Sequence, residues 1–311
     1  MPTLLFTHPA CLEHDTGDYH PECPDRLRAV LQALEGEEFM MLHREAAPKA
    51  TTEQLLRAHT SDHIDFVHDN MPTVPGEQAH LDPDTVIVSG SWEAALRSAG
   101  SAVAAVDAVL KGECRNAFCA VRPPGHHAES QAVMGFCLFN NVAVGALHAQ
   151  AVYGLKRVAV FDFDVHHGNG TQDIFFNNPG LLYCSTHQDE SFPGTGFPQE
   201  TGCANNILNV PLPPGSGSEP WRQAVADMII PAMRAFKPEL IMISAGFDAH
   251  ASDPMAHMRL TTEDFNWVTH QLCDLAREVC DQKVVSVMEG GYDLRALALS
   301  VAAHVRGLMG F

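Results

Sequence analysis

Apolar residues fall along this chain in two alternating rhythms. Short unbroken runs, TLLFTH (3–8), AFCAV (117–121), RVAVFDF (157–163), LLYCST (181–186), ILNV (207–210), LIMISA (240–245) and KVVSVME (283–289), have the length and β-branched content of strands buried on both faces. Between them, apolar residues recur at three and four spacing and predict helices over 25–34, 91–110, 142–153, 219–236, 263–280 and 294–308. Strands and helices alternating in this way make an α/β fold, a largely parallel central sheet with helices on both faces. No linker, repeat or charge block interrupts the pattern, so one domain is expected over 1–311. The Pro/Gly-rich pieces RPPGHH, FPGTGFP and PLPPGSGS are short and follow strands, at the carboxyl edge of the sheet where such folds bind ligands.

Composition narrows the chemistry. With 46% hydrophobic and 18% charged residues the 311-residue chain buries a large core, and no apolar run approaches the roughly 18 residues of a membrane span. Nineteen Lys plus Arg against 38 Asp plus Glu leave a net charge of −19. That field repels phosphate backbones and anionic lipid, so neither nucleic acid nor membrane is an expected partner. The opening MPTLLFTHPACLEHD lacks the basic stretch of a secretory signal, which points to the cytoplasm, and nine cysteines without a C-x-x-C pair read as reduced thiols. Eighteen histidines, many beside Asp, Asn and Gly, invite a search for a metal or proton-transfer site.

Four strand ends carry candidates. Asp162, Asp164 and His166 leave RVAVFDF at period two, so all three project to one side and can hold a divalent cation. His126 and His127 follow a Pro-Pro-Gly turn after AFCAV, a rigid place for acid/base imidazoles, although a histidine pair alone is as readily structural. Asp248 follows LIMISA, and Tyr292 follows paired glycines after KVVSVME. A cation on Asp164, His166 and Asp248 keeps open positions, polarises a carbonyl and acidifies water, while the Tyr292 hydroxyl donates to a developing oxyanion. The expected reaction class is metal-assisted hydrolysis.

RPPGHH, GFCLFNN, VFDFDVHHGNGTQ, SAGFD and MEGGY, in this order and with these gaps, resemble the zinc-dependent histone deacetylase superfamily, which also contains acetylpolyamine amidohydrolases and acetoin-utilisation proteins. The likeness runs from HPECPDR (20–26) to MEGGYDL (288–294) and implies the arginase/deacetylase fold. It also implies roles. Asp164, His166 and Asp248 match the zinc ligands, His127 the general base and acid, His126 the electrostatic histidine with Asp162 as its partner, Asn169 the partner of His127, and Tyr292 the catalytic tyrosine. In the class I branch the Asn169 position is Asp, so this chain is similar to the class II-like and bacterial branch. Gly135, Phe136 and Phe192 match the walls of an acyl-lysine tunnel, Arg26 an arginine near an internal acetate path, and Asp84 an aspartate that grips the substrate backbone. A potassium site resembling the family's would use Asp162, Asp164, His166, Ser185 and Thr186, mostly through backbone carbonyls.

The expected enzyme is thus a deacetylase acting on N-ε-acyl-lysine or a related acylated amine, with Zn²⁺ first and Fe²⁺ or Co²⁺ open to so hard a ligand set. Polyamine-selective relatives carry a gatekeeper glutamate near the position of Met255, where a thioether counts against a polyamine, although the Asp253 carboxylate is close by; a glutamate found lining the mouth would favour one. A non-catalytic acyl-ligand scaffold is the alternative from another class, but no catalytic position is missing. Loops 66–90 and 187–206 are expected to be exposed and available for contacts in a homo-oligomer.

Overall fold

The computed structural model describes residues 1–17 and 19–310. Its strands are β1 (Thr3–Thr7), β2 (His43–Ala46), β3 (Gln78–His80), β4 (Val86–Val88), β5 (Asn116–Cys119), β6 (Val158–Asp162), β7 (Leu181–Gln188), β8 (Ile207–Leu212), β9 (Leu240–Ala245) and β10 (Val284–Met288). Eight form one sheet in the order β2-β1-β5-β10-β9-β6-β7-β8, every pair parallel, and β3 and β4 make a separate antiparallel hairpin. The central strands β5, β10, β9 and β6 are buried at every residue, as helices on both faces require, and this is why they read as continuous apolar runs.

The helices are α1 (Pro24–Ala33), α2 (Thr52–Leu55), α3 (Ser61–Asp69), α4 (Ser91–Leu110), α5 (Asn141–Tyr153), α6 (Asn169–Phe175), α7 (Ser218–Ala224), α8 (Ile230–Phe236), α9 (Thr262–Val279) and α10 (Leu294–Met309). Strand alternation sorts them into layers. Phe118 and Ser286 share a row and both meet His304 of α10, whereas Met242, one row earlier on β9, reaches Gly145 of α5 on the opposite face. His304 is fully buried and bridges Thr269 of α9 (2.6 Å) to Ser286 of β10 (2.8 Å), tying two helices to the sheet.

The structure departs from the expected pattern in three places. The helix expected over 219–236 is interrupted by a π-helical turn, Val225–Ile229, because Pro231 lacks an N–H and its ring crowds the carbonyl four residues back. Strand β2, HREA, is exposed at all four residues, so no apolar rhythm announced it; its charges blunt a sheet edge. Neither segment expected to be an exposed loop is wholly one: within 66–90 Val86, Ile87 and Val88 of β4 are buried, and 187–206 opens with the buried end of β7, His187 and Gln188.

The sheet brings the four candidate loops together. Cys119, Val287, Ser244 and Asp162 lie level in the register of β5-β10-β9-β6, so the chain leaves four neighbouring strands at one height and one edge. In chain order these strands are fifth, tenth, ninth and sixth, the reversal that opens a crevice in a sheet of this kind.

Candidate active site

The loop after β6 is held by its own carboxylates. Asp162 Oδ1 accepts the Asp164 N–H (3.1 Å), Asp164 Oδ1 accepts the His166 N–H (2.9 Å), and Asp248 Oδ1, arriving from β9, accepts the Val165 N–H (2.9 Å). These bonds turn the three expected ligands inward. His166 Nδ1 lies 3.2 Å from Asp164 Oδ1 and 3.1 Å from Asp248 Oδ2, and one donor atom from each residue falls within 4.8 Å of the others. A tetrahedron with bonds of about 2.0 Å has edges of about 3.3 Å, so the buried set fits a small divalent cation. Burial opposes protonation of His166, yet the two carboxylates outweigh it and raise its pKa to about 10. Gly290 is obligatory here: a Cβ would meet the Asp164 and Asp248 carboxylates, and its N–H instead donates to Asp164 Oδ2 (2.8 Å).

The His126 and His127 rings lie side by side, tilted at 44° with centroids 4.0 Å apart, but their partners differ. His126 Nδ1 is 2.9 Å from Asp162 Oδ2, an oxygen that also accepts the Tyr183 hydroxyl (3.0 Å). His127 Nδ1 is 2.8 Å from Asn169 Oδ1. The Asn169 amide orientation follows from its other end, since Nδ2 donates to Glu129 Oε1 (2.8 Å), the Met134 sulfur (3.3 Å) and the His127 carbonyl (3.4 Å). Asn169 Oδ1 must therefore accept, the His127 proton sits on Nδ1, and Nε2 keeps its lone pair. Electrostatics separates the pair further. Burial would lower both imidazoles, but Asp162 and Asp164 carry His126 well above its ordinary value, whereas burial and then the charge of His126 hold His127 well below it.

A cavity of ≈ 450 Å³ opens onto these groups, lined by Asp84, His127, Gly135, Phe136, His166, Gln188, Glu190, Ser191, Phe192, Met255, Ala256, His257 and Tyr292. Phe192 stands 5.0 Å from the His127 ring at 84°, and Phe136 6.0 Å from the Tyr292 ring at 76°. Gly135 and Phe136 both take positive φ, +54° and 69°. A Cβ on Gly135 would run into the His127 ring, so only glycine brings this wall so close.

Other expected residues stand elsewhere. Arg26 does not line the cavity: fully buried beneath Tyr292, it donates to Gly291 O (2.6 Å), Glu289 O (2.5 Å) and Glu22 Oε1 (2.9 Å), with Cζ 4.9 Å from the phenol centroid. Asp253 does not face the cavity either; its carboxylate is turned onto backbone amides. Ser185 pairs in register with Asp162, its Oγ 2.8 Å from His187 Nδ1, and the Thr186 hydroxyl accepts the Trp221 indole N–H (3.0 Å).

Sequence reasoning missed three supporting carboxylates. Glu22 takes a two-point bond from Arg122 (2.6 and 2.7 Å) in addition to Arg26, all three fully buried. The i,i+4 spacing of Glu22 and Arg26 was the available signal. Glu289 accepts the Gly125 and His126 N–H groups (2.6 and 3.2 Å) and is 3.0 Å from the Ser244 hydroxyl, joining the loops after β5 and β10 to the end of β9. Glu190 lines the cavity mouth, and among the described lining residues no Lys or Arg opposes it.

Comparisons with known proteins give the family. A family model described as histone deacetylase domain matches residues 20–308. The chain is 40% identical to the histone deacetylase-like amidohydrolase of Pseudomonas aeruginosa, covering 93% of this chain and 81% of that protein. It is 39% identical to the chloroplastic histone deacetylase 14 of Arabidopsis thaliana (99% and 77% covered) and 37% identical to a probable deacetylase of Archaeoglobus fulgidus (100% and 87%). The crystal structure of the HDA15 HD domain matches with a TM-score of 0.92 at 35% identity, over 100% of this chain and 89% of that one. With the arginase/deacetylase fold built and the comparisons spanning nearly its whole length, this chain belongs to the histone deacetylase family of deacetylases and amidohydrolases.

Proposed function

We propose that this chain, as one catalytic domain over 1–311, removes acetyl or short acyl groups from N-ε-acyl-lysine or a related linear acylated amine. The observation that carries the reading is the convergence, at the base of one cavity, of a buried three-donor set, an imidazole with a free Nε2, and a phenol. Asp164, His166 and Asp248 would hold the cation, zinc before iron or cobalt. When bound it supplies Lewis acidity, polarising the amide carbonyl and acidifying water.

The chain's residues do the rest. His127 takes the water proton at Nε2, because Asn169 holds the other nitrogen protonated, and returns it to the leaving amine. His126, fixed by Asp162, stays cationic beside it and keeps His127 neutral at rest. Tyr292 donates its hydroxyl to the developing oxyanion. Phe136 and Phe192 with Gly135 flank the aliphatic stem, Met255 extends the apolar rim, and Asp84 accepts from substrate amides at the mouth. A potassium ion would stabilise the β6 and β7 ends through Asp162, Asp164, His166, Ser185 and Thr186; the Ser185 hydroxyl, spending its proton on His187, leaves lone pairs for it.

Glu190 favours a second reading, an acetylpolyamine amidohydrolase, because a carboxylate at the mouth suits a cationic chain beyond the acyl group. One comparison tests both: kcat/KM of the zinc-reconstituted enzyme on acetyl-lysine peptides and on N-acetylated polyamines, with Tyr292→Phe as control. The lysine reading expects the peptide to lead by more than tenfold, about 1.4 kcal/mol. A polyamine lead transfers the function to the second reading, and no turnover on either overturns both.

A further inference from the structure

The Tyr292 phenol has no hydrogen-bond partner among the described residues, so its place depends on how its backbone is held. Arg26 holds that backbone by its acceptors, bonding the carbonyls of Glu289 and Gly291. The donors go elsewhere. The Tyr292 and Asp293 N–H groups find no backbone carbonyl among the described residues; both point at Asp253 Oδ2, at 2.7 and 3.2 Å. The other oxygen, Oδ1, accepts the N–H of Met255 (3.0 Å), the thioether on the cavity rim.

One carboxylate, 8% exposed, thus joins the loop after β10 to the rim loop after β9. The rim loop is pinned again two residues on, where the His257 N–H donates to Gln188 Oε1 (2.7 Å). Asp293 in turn caps α10, accepting the Ala296 N–H on Oδ1 (2.7 Å), so Tyr292 sits between a helix start and a clamp. Three N–H groups on two oxygens demand a pure acceptor. An amide in its place would turn an NH₂ toward at least one of them.

We propose that Asp253 is the positioning residue that sets the Tyr292 hydroxyl over the reacting carbonyl and fixes the Met255 rim at the same time. This rests on the reading of Tyr292 as oxyanion donor. Asp253 touches no substrate; it acts through two backbone segments. The two halves of its carboxylate act on different kinetic constants, the Oδ2 side on kcat through Tyr292 and the Oδ1 side on KM through Met255.

The test is a double-mutant cycle of Asp253→Asn and Tyr292→Phe on zinc-loaded enzyme with an acetyl-lysine peptide, reading kcat, KM, bound zinc and melting temperature. The expected result is a kcat loss of tenfold or more for Asp253→Asn alone, less than twofold in the Tyr292→Phe background, and full zinc occupancy in both. The same kcat factor in both backgrounds, or loss of zinc, overturns the proposal as a general structural effect. Wild-type kcat in Tyr292→Phe overturns the oxyanion reading itself, and this proposal with it. Hydrogen exchange on the unmodified protein needs no variant: the Tyr292 and Asp293 amides are expected to exchange at least 100-fold more slowly than free loop amides. Exchange at unprotected rates would sink the clamp.

Discussion

His127 Nδ1 faces an amide oxygen, Asn169 Oδ1 at 2.8 Å, whereas its neighbour His126 faces a carboxylate. The amide fixes the tautomer without adding negative charge, so it leaves His127 the weak base that burial makes it. Replacing Asn169 with Asp adds charge where the imidazolium forms. The acidic limb of the kcat/KM profile should move upward by about one pH unit, with fewer active molecules at neutral pH. An unmoved limb in Asn169→Asp would show that His127 is not the group titrating there.

Metal removal should be visible in stability as well as in rate. Without a cation, Asp164 and Asp248 face each other in a buried site, and burial with the Asp164 charge pushes the Asp248 carboxyl up to about 7. A cation bound only by the folded state adds about 4.1 kcal/mol at 1,000 times its dissociation constant. Chelation should therefore lower the melting temperature, and the difference should shrink toward zero in Asp248→Asn. Equal shifts in both proteins would place the stabilising metal elsewhere.

Acid should destabilise the fold through histidines buried neutral. Burial lowers His304 from 6.5 to about 3, and His59 and His187 likewise to about 3, with charge from His63 and His167 adding to burial in those two. The folded pKa is depressed, so below 6.5 the unfolded chain binds a proton that the folded chain refuses. Stability is full above 6.5 and falls toward pH 3. One such histidine removes about 2 kcal/mol between pH 7.5 and 5. Urea unfolding across that range should give a slope reduced by about one proton in His304→Gln; an unchanged slope would mean that His304 is charged in the fold.

Glu22 is the counter-charge of two buried guanidiniums, and Arg122 holds its carboxyl well below the usual range against the opposing effect of burial. Glu22→Gln leaves Arg26 and Arg122 without compensation, a loss of about 3–5 kcal/mol by the usual price of an unpaired buried charge. Urea midpoints at pH 7 measure it, and a change below about 1 kcal/mol would show that water reaches the cluster.

How much of this was legible depended on where the physics wrote itself. Strands β5, β6, β9 and β10 are buried on both faces and so appear as apolar runs, whereas β2 and β3 lie at edges with little to bury. The ligand candidates were legible because each follows a strand within a few residues. The residues that hold them were not: Glu22 meets Arg122 across 100 positions and Glu289 meets Gly125 across 164, and nothing local marks such pairs. Asp253 was noticed for its charge alone, and only its three amide partners reveal what that charge does.

Strand β10 enters between β5 and β9, two strands made earlier in synthesis. As the chain emerges, those two edges have no permanent neighbour until residues 284–288 arrive, and Tyr292 comes only with them. From residue 166, by which point the loop after β6 and both histidines have been made, until residue 284, the nascent protein therefore carries them with no completed pocket. Activity switches on in one late insertion, and no fragment ending before β10 can be a smaller version of the enzyme; it can only be an open sheet with two sticky central edges.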